Sequence, residues 1–219
     1  MESHFHQELG QLKMTILQMA SLAERSVSKA LTAFFRRDAD LAQEVIEGDR
    51  AINLLEVDVD RISLRLLALD QPMAGDLRFI IGCMRIAVSL ERIGDQAVNV
   101  AERALFLSTR PPLPPNPAME QLGETALDMF QTVIRVFIDE NTEEAREVCR
   151  MDDKADELNV TVLKTLLDYM VKEVPAVERS VQTIIAARCL ERVADEATNI
   201  AESVIFITLG VNIKHHCQG

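Results

Sequence analysis

The chain has 219 residues, 48% hydrophobic and 26% charged, a balance that excludes disorder and allows one large domain or two small ones. Aromatic residues make up only 4%, with no Trp and one Tyr, so a core of Leu, Ile, Val, Ala and Met suits packed helices better than a sandwich or barrel. Acids outnumber bases 35 to 23, and the resulting net charge of −12 argues against a nucleic-acid ligand, whose phosphates need a basic surface. The excess is uneven, 16 acids to 13 bases over residues 1–110 but 19 to 10 over 111–219. Such an excess invites cations or basic partners, or serves solubility alone.

In chain order, MESHFHQELG has no apolar signal core, and no apolar stretch reaches the ~20 residues of a membrane span, so a cytoplasmic location is expected. Helical periodicity starts with the stripe Leu9, Leu12, Ile16, Ala20, Ala23, Val27, Ala30, Leu31 and Phe34. Asp38 is the predicted N-cap of a second helix, whose stripe runs Leu41, Val45, Ile52, Leu55, Val59, Ile62 and Leu66. After Pro72 a third stripe runs Leu77, Ile80, Ile81, Met84, Leu90, Ile93, Ala97, Val100 and Ala104. Five of the seven prolines then fall between Pro111 and Pro117, a segment read as a stiff non-helical linker. Further on, Asn141 with Glu144 has the spacing of a capping box, and Pro175 stands where Pro72 does in the first half. The four cysteines (Cys83, Cys149, Cys189, Cys217) form no C-x-x-C pair, and buried reduced thiols are expected.

The strongest signal is an internal repeat. Residues 91–102, ERIGDQAVNVAE, return as ERVADEATNIAE at 191–202, with seven of twelve positions identical. Upstream, AQEVIEGD at 42–49 matches AREVCRMD at 145–152, displaced by 103 residues rather than 100. A three-residue difference belongs near the turn between the second and third helices, where length varies cheaply. The expected fold is all-α, two tandem pseudo-symmetric three-helix bundles: a first repeat over 1–110, a proline-rich linker over 111–118, a second repeat over 119–212 and a tail over 213–219.

At 100° per residue, Glu91, Asp95, Asn99 and Glu102 share one helix face, opposite Ile93, Ala97, Val100 and Ala104. Asp49, Asn53, Glu56 and Asp60 form a second column on the preceding helix. Their equivalents are Asp152, Asp156 and Asn159, then Glu191, Asp195, Asn199 and Glu202. Like charges at i, i+4 cost roughly 0.2–0.5 kcal/mol per pair, and a solvating face would intersperse Lys among them. Two facing columns offer four or more oxygen ligands to a hard or borderline cation. Wet surface acids are the alternative reading of the same pattern.

These doubled motifs, with the Val-Asn-Ile-Lys-His-His ending, resemble the PhoU family from Leu9 to His216. The resemblance implies a six-helix fold of two three-helix bundles and multinuclear surface metal clusters, of iron or zinc first and other divalent cations second. It further implies a homodimer that restrains the phosphate-starvation response together with the phosphate ABC transporter ATPase and the sensor histidine kinase of the phosphate two-component system. Contact with the membrane would run through those partners only. The family's metal motif falls on Glu91 and Asp95 with Asp49 and Asn53, and on Glu191 and Asp195 with Asp152 and Asp156. Asn53 stands where the stricter motif has Asp, so the first site is expected to be one charge short and the weaker of the two.

Other chemistries lack their residues. A di-iron bundle needs E-x-x-H ligands in its core, whereas the histidines are His4, His6, His215 and His216. No internal histidine can serve as a base, there is no G-x-S-x-G, and the eight scattered glycines form no phosphate loop, so no enzyme is expected. Any report on phosphate would then pass through partners. The rival reading is a metal-independent helical adaptor, with Phe106, Phe206, Met73 and Arg78 as candidate contact residues.

Overall fold

The structure is a computed structural model that describes residues 2–211. The expected tail, with His215, His216 and Cys217, lies outside the described residues. Among the described residues seven α-helices form six rods: α1 (Glu2–Arg36), α2 (Ala39–Gly48) and α3 (Arg50–Leu69) as one broken rod, α4 (Ala74–Ser108), α5 (Pro117–Asp139), α6 (Thr142–Lys172) and α7 (Val177–Leu209). A single 3-10 turn, Val174–Ala176, leads into α7. No strand occurs among the described residues. This is the expected architecture of two three-helix bundles.

The helix boundaries follow local chemistry. Asp38 accepts a hydrogen bond from the Leu41 amide, and Asn141 from the Glu143 and Glu144 amides. Glu144 turns towards Arg135 of α5, 3.6 Å away. Each cap follows a residue in the left-handed region, Arg37 (φ 60°) and Glu140 (φ 54°), so the first turn of each repeat has the same shape. Four residues separate α3 from α4, but only Glu173 separates α6 from the 3-10 turn. That is the three-residue difference read from the repeat. Pro117 is a small correction: it is helical, as the first residue of α5, where its missing N–H has no intrahelical partner to lose.

Residues 109–116 link the halves without helix and are fastened from both sides. The Arg37 guanidinium donates to the carbonyls of Leu107, Ser108 and Arg110. From α7, Arg179 donates to the carbonyls of Pro111 and Pro112 at 3.0 and 3.2 Å.

The halves also meet directly. α4 packs against α7 over the most extensive helix–helix contact in the molecule, and α1 touches α5. Gly82 of α4 marks a point of close approach to α7. A β-carbon on Gly82 would sit 2.3 Å from Cγ1 of Ile207. The buried residues form one continuous cluster from α1 through α7.

Most of the predicted stripes are core, but Leu77 is 41% exposed and Ile81 and Met84 are only half-buried. The start of α4 buries Cys83, Ile86 and Ala87 instead. Cys83 and Cys189 are free, and burial pushes both thiols up, which makes them poor nucleophiles. Cys149 is buried but disulfide-bonded, which corrects the reduced-thiol expectation there. Among the described residues no helix is long and apolar enough to cross a membrane.

Candidate metal centres

The first acidic set lies where the broken α2–α3 rod meets the middle of α4. Asp49 sits at the break with helical backbone angles, and its carbonyl receives the amides of Ile52 and Asn53. Its Oδ2 accepts from Asn53 Nδ2 at 2.8 Å. The other oxygens, Asp49 Oδ1 and Asn53 Oδ1, are buried with no hydrogen-bond donor. Gly94 lets α4 come this close, since a β-carbon there would stand 3.2 Å from Asp49 Oδ1.

Three carboxyls around this point are pushed up from their ordinary values. Burial is the main cause for Glu91, followed by the charges of Asp95 and Glu56. For Asp95, the charge of Asp49 adds to burial. For Glu56, burial comes first, then Asp60 and Asp95. Glu56 therefore belongs with the predicted Asp49, Asn53, Glu91 and Asp95, although the family motif does not mark it. Its sequence signal was its place in the α3 column, one turn beyond Asn53.

The second set is tighter. Asp152 and Asp156 project from the unbroken α6, and Glu191 and Asp195 from α7. Oxygens of Asp156, Glu191 and Asp195 lie within 4.8 Å of one another, the closest acidic convergence among the described residues. Glu191 is only 6% exposed. Burial, and next the charge of Asp195, raises its carboxyl to about 7, against the opposing pull of Arg188. Asp152 is raised to about 6 by burial and then by Asp195 and Asp156, with Thr198 beside it. Asp195 is raised by burial and by Asp156. One cation is already in place: Arg188 Nη1 stands 2.6 Å from Glu191 Oε1. Glu191 Oε2 and Asp152 Oδ1 nevertheless remain buried without a hydrogen-bond donor.

Crowded, half-desolvated carboxylates with unsatisfied oxygens are an unstable arrangement unless protons or cations neutralise them. An oxygen-only donor set suits a hard or borderline metal ion, with carboxylates available to bridge. The residues therefore fit the cations that the family resemblance implies. The rest of the predicted columns goes elsewhere. Asn99 Nδ2 donates to the Asp95 main-chain carbonyl, and Glu102 pairs with Arg103 at 2.8 Å. Asn199 donates to Glu196, which also pairs with Arg92 of α4 at 3.2 Å. Glu202 lines a cleft along the α4–α7 seam with Asn199 and Ser203.

A family model described as the PhoU domain matches twice, over residues 16–104 and 119–204. The chain is 39% identical over 208 residues to the Phosphate-specific transport system accessory protein PhoU homolog of Aquifex aeolicus, covering 95% of this chain and 94% of that one. It is 31% identical over 211 residues to the Phosphate-specific transport system accessory protein PhoU of Escherichia coli K12, covering 96% and 88%. Its fold superposes on the crystal structure of PhoU from Pseudomonas aeruginosa with a TM-score of 0.92 at 36% identity, covering 94% and 100% of the two chains. For the phosphate transport system regulatory protein PhoU from Streptococcus pneumoniae the TM-score is 0.88 at 28% identity, covering 95% and 98%. Two matched domains in tandem, full-length relatives and a shared fold establish that the chain belongs to the PhoU domain family.

Proposed function

We propose that this chain is a non-enzymatic cytoplasmic regulator of phosphate uptake, one that holds down the phosphate-starvation response by joining a phosphate ABC transporter ATPase to a sensor histidine kinase. The observation that carries the regulatory role is its likeness, along almost the whole chain, to accessory proteins of phosphate-specific transport. An adaptor of this kind acts by binding one state of its partner better than another, because equal affinity for both states shifts nothing.

The two carboxylate sets support cation binding, with iron or zinc as the first candidates. Asp152, Asp156, Glu191 and Asp195 would hold one group of ions, and Asp49, Glu56, Glu91 and Asp95 the other, with Asn53 as a neutral ligand. A bound cation supplies the positive charge that these crowded carboxylates lack. A metal-independent adaptor is the second reading, favoured by the Arg188–Glu191 pair, which already offsets part of the charge. Either adaptor needs a protein-binding surface. Val160, Leu163, Leu167 and Val171 supply one, an exposed apolar stripe on α6 that reaches 82% exposure at Val171 and is followed by exposed Val174 of the 3-10 turn. Of the contact residues named from sequence, Met73 is 79% exposed. The others are engaged internally: Arg78 donates to the Ile207 carbonyl, and Phe106 and Phe206 lie under Arg110 and Arg85.

Capture of the tagged chain from phosphate-replete and phosphate-starved cells tests the regulatory role. Recovery of a transporter ATPase or a histidine kinase is expected, with a yield that changes between the two conditions, and recovery of neither defeats it. Elemental analysis tests the metal role. Wild type should carry iron, zinc or another divalent metal that an Asp95→Ala plus Asp195→Ala variant has lost, and equal trace metal in both leaves the metal-free adaptor.

A further inference from the structure

A cleft of about 360 Å³ opens along the α4–α7 seam. Arg85 and Arg92 stand two helical turns apart on α4, about 10 Å along its axis, with Ser89 between them. Asn199, Glu202 and Ser203 complete it from α7. Ser89 and Ser203 are almost fully buried and form its floor, exposed by 6 and 7%. The Arg85 guanidinium lies over the Phe206 ring, 4.4 Å from its centre, which fixes the plane of its donors. Arg92 uses one nitrogen on Glu196, and a guanidinium carries five N–H donors in all.

The repeat shows how this cleft arose. Counted 100 residues away, Arg85, Ser89 and Ser203 correspond to Ile185, Cys189 and Arg103. Val88 likewise stands where the other copy has Arg188, so this cleft differs in having a guanidinium at Arg85, a hydroxyl at Ser89, and the small Val88 and Ser203 in place of two bulky arginines. Arg92, Asn199 and Glu202 keep the identities of Arg192, Asn99 and Glu102.

We propose that this cleft binds inorganic phosphate, making the chain a direct sensor of the ion whose uptake it regulates. The proposal rests on the regulatory reading above for the choice of ion, and on the cleft for the site. Arg85, Arg92 and Ser89 offer donors to the phosphate oxygens. Glu202 distinguishes phosphate from sulfate: at neutral pH phosphate keeps a hydrogen that a carboxylate can accept, and sulfate has none. A carboxylate has about four acceptor positions, so other contacts of Glu202 leave room for this one. Because the guanidinia face water and are screened, affinity in roughly the millimolar range is expected. The absence of a glycine-rich loop is no obstacle, since the donors are side chains brought together by tertiary packing.

The test is titration calorimetry of the full chain, both as purified and after dialysis against a chelator. Sodium phosphate, sodium sulfate at equal ionic strength, and phosphoserine serve as ligands. Phosphate should bind saturably at one site per chain whether or not metal is present, and about tenfold more tightly than sulfate, as expected for one charge-assisted hydrogen bond. Arg85→Gln and Ser203→Arg should each weaken it about tenfold or more with circular dichroism and melting unchanged. Glu202→Gln should abolish the preference over sulfate while leaving anion binding in place. The proposal is overturned by absent binding, by equal binding of sulfate to the wild type, or by binding that survives both Arg85→Gln and Ser203→Arg. It is also overturned if phosphate binds only before chelation, which would place the ion on metal, or if phosphoserine binds more tightly, which would point to a phosphorylated partner. The regulatory reading is judged separately, since ATPase or kinase capture alongside a failed titration removes only the sensor.

Discussion

Asn53 and Glu56 of α3 correspond, 103 residues on, to Asp156 and Asn159 of α6. The amide and the acid have traded places along the column, and Glu56, raised in part by the charge of Asp95, adds to the first set a carboxylate that the family motif does not mark. The sets differ in geometry, because among the described residues only Asp156, Glu191 and Asp195 converge within 4.8 Å. Asn53→Asp should therefore raise the metal content of the first set and Glu56→Gln should lower it, with the second set unchanged, as read by elemental analysis in an Asp195→Ala background. The raised carboxyls fix a pH response. Glu191, at about 7, and Asp152, at about 6, hold protons in the folded chain that the unfolded chain has already lost. Their stabilising effect is complete below the ordinary carboxylate range and disappears as pH rises through these values. At about 1.4 kcal/mol per pH unit between folded and unfolded values, Glu191 alone contributes on the order of 3 kcal/mol. The metal-free chain should melt roughly 5–10 °C lower at about pH 8 than at about pH 5, and Glu191→Gln should remove much of that slope. A melting temperature that is flat or rises over that interval contradicts the burial of these protons. The predicted ligand positions were legible because the repeat marked them twice. Arg188, which holds Glu191 from one turn away, was not, because a lone arginine carries no periodic signal.

The helices themselves were written in local chemistry: Asp38 and Asn141 cap as predicted, and the loop difference falls where the two displacements change. The faces were harder to read. Leu77, Ile81 and Met84 fit the apolar period, yet the start of α4 turns Cys83, Ile86 and Ala87 inwards, because α7 crosses at Gly82 and that partner is invisible to periodicity. Gly82→Ala sets helix propensity against packing. Alanine favours the helix by about 1 kcal/mol, but its methyl would meet Ile207 at 2.3 and 2.5 Å, and overpacking typically costs about 1–3 kcal/mol. A net loss of stability is expected by urea unfolding, and Gly82→Ala should cost less in an Ile207→Ala background, which removes both clashing carbons. An unchanged or raised midpoint in the single variant would mean that the seam yields freely.

For the whole molecule, the sequence gives two copies but not how they face one another. Nothing in a repeat specifies which of its helices will meet its twin, and the seam of α4 and α7 is indistinguishable from core in a one-dimensional reading. The result is one apolar cluster rather than two. Thermal unfolding should show a single calorimetric transition whose van 't Hoff and calorimetric enthalpies agree. Two resolved transitions would mean that the seam couples the halves weakly. The inequality of the carboxylate sets reaches further under the proposed cation loading. A duplication kept identical would fill both halves at one threshold. With one cradle tighter than the other, rising cation fills them in succession, and between those thresholds the molecule is loaded on one side only. Under that proposal the lopsided form would be a third surface, distinct from the empty and the filled ones, and a single chain would then have three states to offer a partner.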